Sequence, residues 1–116
     1  MKVTKFEELI AWQKAQKLAV DVYHYFGTSK DFGFRAQITR AVVSISNNIA
    51  EGFERNSDKE FIRFLEIARS SCSEVKSMIY LASRLKFIEG EIREKLMAKA
   101  EEVSKIIYGL LKSLQK

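Results

Sequence analysis

The sequence predicts an all-α fold, an antiparallel up-down-up-down four-helix bundle formed by residues 1–116 as one domain. Three observations lead to it. There is no proline, and Lys, Glu, Ala, Leu and Ile are abundant, a composition that favours long uninterrupted helices. Apolar residues recur at steps of three and four in four separate segments, the spacing that gathers them on one helical face. Short links join those segments, and short links favour antiparallel neighbours. A chain of 116 residues is long enough to bury one core without disulfide or metal support.

In the first segment Thr4 and Glu7 match a capping box, in which a hydroxyl and a carboxylate satisfy free amides of the opening turn. The helix is expected to run to about Phe26, burying Leu9, Trp12, Ala19, Tyr23 and Phe26, with Phe6, Ile10 and Val20 widening the stripe. Gly27 is a stop signal, because glycine enters the left-handed region cheaply. The second helix is expected from near Phe34, with Ile38, Val42, Ile45, Ile49 and Phe53 on its stripe, until "RNSDKE" breaks it. Ser57 and Glu60 form a second capping box. The third helix then carries the most regular pattern: Phe61, Leu65, Ala68, Cys72, Val75, Ile79 and Ala82 alternate steps of four and three, the seam of helices packed at a shallow angle. After a break at "KFIEG", Ile92, Leu96, Val103, Ile107, Leu110 and Leu114 define the fourth helix. Helices of about 25 residues make a rod about 35 to 40 Å long at a rise of 1.5 Å per residue.

Composition narrows the function classes. Cys72 is the single cysteine, so one chain forms neither a disulfide framework nor a thiolate metal cluster, and a reducing cytoplasm is the expected location. The first residues, "MKVTKFEELIAWQKAQ", lack the apolar run of a secretory signal, and no segment has the unbroken apolar length of a membrane span. The formal net charge is +5, spread as excesses of +1, +1, +2 and +1 over residues 1–26, 27–56, 57–88 and 89–116, so no segment is a basic arm. His24 is the single histidine, which excludes a di-iron site built from two Glu-x-x-His elements in one subunit. Asp21 and His24 share a helical face but make only an isolated pair of ligand types. With Cys72 on the apolar seam, and without a phosphate-cradling glycine loop or a nucleophile elbow, the expectation is a non-enzyme with no cofactor and no metal.

The polar residues have a pattern of their own. On the second helix Gln37, Arg40, Ser44, Asn47 and Glu51 follow steps of three and four and line one face, with Asn48 and Gly52 at its edge. On the third, Ser71 and Glu74 interrupt a row of Phe64, Ile67, Met78 and Leu81. Arg40 is placed to pair with Glu74 or Glu51, a network that would fix helix register more than add stability. Gly52 costs about 1 kcal/mol in a helix interior relative to alanine, which points to close backbone approach or a weakened helix end. The residues Arg40, Ser44, Asn47, Asn48, Glu51, Gly52, Ser71 and Glu74 are therefore read as a structural or assembly motif rather than a catalytic site. Lys59, Arg63, Arg69, Lys76 and Arg84, with Tyr80 among them and Glu66 as the chief acidic interruption, are the candidate phosphate contacts.

The stretches "FEELIAWQKAQKLAVDVY", "QITRAVVSISNNIAEG" and "SDKEFIRFLEIARSSCSEV" also resemble the four-helix bundle family named for the protein encoded in 23S rRNA intervening sequences. The likeness runs from Phe6 to about Leu114, and its most specific parts are Arg40, Ala41, Ser44 and Asn48 to Gly52, then Ser71 with Glu74. The resemblance implies a small bundle that assembles into ring-forming homo-oligomers, pentamers in particular, and it implies no enzymatic activity. Related bundles that accompany reverse transcriptases of diversity-generating retroelements look like nucleic-acid-binding accessory subunits. The expected partners are therefore further copies of the chain and RNA or DNA bound through phosphates, with no membrane. A protein-only scaffold that meets another protein is the alternative. Trp12, Tyr23, Tyr25, Tyr80 and Tyr108 exceed what a thin core would bury, and at least two are expected at a subunit interface.

Overall fold

A computed structural model describes residues 2–115 and contains four α-helices: α1 (Ile10–Phe26), α2 (Phe32–Phe53), α3 (Asp58–Arg84) and α4 (Gly90–Leu114), preceded by a 3-10 turn at Phe6–Glu8. Consecutive helices pack side by side and α1 closes the bundle against α4, in a body measuring 43 × 23 × 19 Å. Among the described residues no helix is long and apolar enough to cross a membrane.

The entry differs from the continuous helix expected from Thr4. The Glu8 carboxylate, not that of Glu7, reaches back to accept from the Thr4 amide at 3.1 Å. The 3-10 turn ends at Leu9, whose extended backbone (φ −74°, ψ 125°) lets its side chain enter the core before α1 starts. Phe6 meets Trp12 edge to face at 5.3 Å between ring centres, folding the entry back onto the helix.

The core face of α1 also differs from expectation. Ala11, Ala15, Leu18, Val22 and Phe26 are buried, whereas Ile10, Val20 and Tyr23 are exposed. Trp12 and Ala19 are half-buried. Two alanines on the inward face let neighbouring helices approach closely, so the larger apolar side chains mark the flank rather than the centre.

The remaining helices follow their patterns more closely. Asp31 accepts the Phe34 amide at 3.1 Å, a side-chain N-cap that starts α2 at Phe32, ahead of the expected Phe34. Ile38, Val42, Ile45 and Ile49 are fully buried. Ser57 accepts the Glu60 amide at 3.2 Å and caps α3, but the Glu60 carboxylate turns to Arg63, so half of the capping box forms. All seven residues of the α3 seam, Phe61 to Ala82, are buried. In α4 the buried set is Leu96, Ala100, Val103, Ile107 and Leu111, while Ile92, Leu110 and Leu114 pack from the edge.

The two helix stops are exchanged relative to simple expectation. Gly27 has φ −64° and stays right-handed. The left-handed residue is Lys86, φ 66°, after α3. There the Phe87 amide donates to the Ala82 carbonyl at 2.9 Å and the Lys86 amide to Ser83 at 3.0 Å, a Schellman closure made without glycine. It is held by packing, since Phe87 meets Phe34 edge-on at 5.3 Å and Ile88 is buried.

Candidate assembly face

Along the α2–α3 contact, hydroxyl groups stand where a bundle normally places aliphatic side chains. The Ser44 and Ser71 hydroxyls lie 3.0 Å apart across the two helices, and either can donate. The Asn48 carboxamide donates to the Ser44 carbonyl at 2.8 Å and to its hydroxyl at 2.9 Å. Asn48 therefore holds Ser44 in position one turn away, and Ser44 fixes the height of α3. Two turns before Ser44, Gln37 donates to Glu74 at 3.4 Å, a long contact.

Close approach at the far end of α2 explains Gly52. A Cβ there would lie 2.6 Å from the Phe64 Cβ and 2.9 Å from the Phe61 ring. The glycine is what lets α3 cross this tightly, just before Ser57 turns the chain into the next helix. A third polar tie joins α2 to α1, where Gln16 donates to the buried Ser46 hydroxyl at 3.0 Å. Nothing in the polar periodicity marked Ser46.

The expected Arg40 pairing does not form. Among the described residues Arg40 makes no ion pair with Glu74 or Glu51, and Glu74 instead receives Gln37. Arg40, Asn47 and Glu51 lie on the outer surface of α2, in a shallow open groove that Tyr23 and the half-buried Ser44 and Asn48 also line. Helical geometry accounts for the difference: in the sequence row that steps through Ser44, only Gln37 and Ser44 reach polar side chains of α3. The motif thus divides into an inter-helix lock (Ser44, Asn48, Gly52, Ser71) and an outward polar set (Arg40, Asn47, Glu51), with Glu74 at the boundary.

Beside the lock, α3 leaves large apolar side chains in the open. Ile67 is 40% exposed, Leu81 45% and Leu85 49%, and they follow one another at helical spacing on the flank that faces α2. Phe64 and Met78 sit in the same row but are buried. Phe32 at the start of α2 and Phe87 after α3 extend the apolar surface toward one end of the bundle.

The candidate phosphate contacts do not form one stripe. Arg63 pairs with Glu60 at 3.2 Å and lies over the Phe64 ring, and Lys76 pairs with Glu101 of α4 at 3.3 Å. Arg69 lies over the Tyr108 ring at 4.6 Å. Lys59 and Arg84 are exposed and make no ion pair among the described residues. Sequence reading placed Tyr108 among the adhesive aromatics but did not bring it to Arg69, because that meeting depends on the register of α3 against α4.

Chemistry at the other singled-out residues is quiet. Cys72 is fully buried, and loss of water pushes its thiol from an ordinary 9.0 up to about 12, against the weaker opposing pull of Lys76 and Arg69. Asp21 is engaged by Lys99 of α4, and His24 packs edge-on against Tyr25. No three His, Cys, Asp or Glu side chains converge on a metal-sized space among the described residues.

Comparison with known proteins agrees with this geometry. The model of a family described as 23S rRNA-intervening sequence protein matches residues 7–109. A crystal structure from Bacteroides thetaiotaomicron, titled a protein with unknown function from the S23 ribosomal protein family, superimposes with a TM-score of 0.83. It is 27% identical over 89% of this chain and 99% of its own. No curated protein matches the chain. Neither the family description nor the neighbour's title names an enzymatic activity.

Proposed function

The chain belongs to the 23S rRNA-intervening sequence protein family, and from that premise we propose that it is a non-enzymatic, self-assembling helical bundle that acts as an accessory or scaffold protein. The observation that carries this reading is the exposed row of Ile67, Leu81 and Leu85 beside the Ser44–Ser71 lock. A bundle that spends serine and glycine on fixing the α2–α3 crossing presents a rigid apolar face at that crossing, and large apolar side chains left in water gain by meeting another surface. The occupant is a further copy of the chain, and the ring is a pentamer. Light scattering tests this. The intact protein should give about five times the 13.4 kDa chain mass, and Leu81→Lys or Ile67→Lys should lower that mass while the helical circular dichroism is kept. A 13.4 kDa particle at high protein concentration refutes assembly.

The assembled bundle binds nucleic acid through phosphates, with little sequence preference. Support comes from Lys59, Arg69 and Arg84, cations of α3 that no carboxylate neutralises among the described residues, and from the net charge of +5 repeated in every copy. Affinity for RNA or DNA should fall steeply as salt rises while the oligomer mass holds. No binding at low salt by an intact oligomer leaves the protein-only scaffold. The expected setting is the cytoplasm.

A further inference from the structure

The α3–α4 edge joins an exposed aromatic ring to cations that remain free for an anion. Tyr108 of α4 is 46% exposed, with the Arg69 guanidinium 4.6 Å and the Lys112 ammonium 5.8 Å from its ring centre. Lys105, one turn before Tyr108, is exposed as well. None of the three cations makes an ion pair among the described residues. Glu66, one turn before Arg69, is the opposing acid on α3. Farther along the same edge Lys76 and Glu101 neutralise each other at 3.3 Å, and Tyr80 is 54% exposed in a groove lined by Met97, Glu101 and the paired Arg93 and Glu94. Met97 and Tyr108 are eleven residues apart on α4, about 16 Å at the helical rise.

We infer that this edge is a binding site for single-stranded nucleic acid, in which an unpaired base stacks on the Tyr108–Arg69 pair while Lys105 and Lys112 hold the flanking phosphates. The inference rests on the nucleic-acid reading above and adds to it a site and a preference for unpaired strands. Cations alone would attract duplex, single strand or an acidic polypeptide alike. A guanidinium stacked on an aromatic ring extends a flat surface that contributes only where a base has a free face, and a duplex hides its bases in the stack. Tyr80 supplies a second ring on the same line, with a neutralised pair rather than a bare carboxylate between the two.

Fluorescence anisotropy of labelled oligo-dT, oligo-rU and a duplex, measured over about 50 to 200 mM salt, tests the site. Single strands should bind more tightly than the duplex. Tyr108→Leu should weaken single-strand binding about tenfold with duplex binding unchanged, and Tyr108→Phe should bind like the parent. Lys112→Gln and Lys105→Gln should each lower the slope of log affinity against log salt by about one, with Tyr108 intact. Because these positions are exposed, circular dichroism should be unchanged; the lysine variants still test the site if Tyr108→Leu fails to fold. Single-strand binding unaltered by Tyr108→Leu, or competition by poly-glutamate equal to that by oligo-dT, overturns the stacking site and leaves phosphate binding standing. Absence of binding by the parent protein at low salt overturns both.

Discussion

Gly52→Ala is the substitution whose sign is most telling. By helix propensity alone it should stabilise, because alanine is favoured over glycine inside a helix by about 1 kcal/mol. Here the new Cβ would stand 2.6 Å from the Phe64 Cβ and 2.9 Å from the Phe61 ring. Ordinary carbon contacts lie at about 3.5 to 4.0 Å, so α2 and α3 must separate by about 1 Å or strain locally. The Phe64 Cβ is tied to the α3 backbone and cannot swing aside. Overpacking of this kind costs about 1 to 3 kcal/mol, so against the propensity gain of about 1 kcal/mol the net runs from about zero to a loss of about 2 kcal/mol. For a domain of this size that is a fall of up to about 8 °C in melting temperature. The control is Gly109→Ala in the last two turns of α4, where an added Cβ meets nothing within 4 Å. It should stabilise by about 0.5 to 1 kcal/mol. Both variants are followed by circular dichroism in urea and on heating, at one fixed protein concentration because assembly makes stability concentration-dependent. If Gly52→Ala stabilises as much as Gly109→Ala, the close approach of α2 and α3 is wrong.

Three further outcomes are expected. Ser57→Ala and Asp31→Ala each remove a side-chain cap and should cost about 1 kcal/mol in urea unfolding, whereas Thr4→Ala should cost little, since only its backbone amide is used. Ser44→Ala and Ser71→Ala, made singly and together, should be non-additive by about 0.5 kcal/mol or more, and a fully additive pair would mean that the 3.0 Å contact contributes nothing. Cys72 should resist thiol reagents in the folded protein and react on denaturation. Its folded thiol ionises only near 12 and its unfolded thiol from 9.0, so over that window the unfolded state loses the proton first and stability falls as pH rises. The fall should be shallower in Cys72→Ala, and equal slopes would show that the thiol is not the group concerned.

Most of the bundle was legible because its longest helix reports its own burial. The α3 seam alternates steps of four and three without exception from Phe61 to Ala82, and every member is buried. On α1 the same reasoning turned the helix the wrong way. Large side chains carry the hydrophobic signal, and the face actually buried starts with Ala11 and Ala15, whose small size is what the packing requires. The stop after α3 was illegible for a related reason. Lys86 adopts a glycine-like conformation because Phe87 and Ile88 are packed beyond it, a tertiary cause with no local residue signature. The polar motif was found as a set of positions, but its division between an inter-helix lock and an outward surface needed the helix rotation. Arg40 was assigned a partner by spacing, and the structure gives Glu74 to Gln37 instead.

The entry turn sets what light can report about this molecule. Trp12 is the single indole of the chain, and it sits not in the middle of the bundle but at one end, edge-on to Phe6 of the 3-10 turn. Its emission therefore follows the fastening of the N-terminal segment, while far-ultraviolet dichroism averages over all four helices. Where the two transitions coincide in denaturant, the clasp opens with the whole bundle. Where fluorescence changes first, that end frays as a separate unit, and slow amide exchange should persist in α2 and α3 after it is lost at the start of α1.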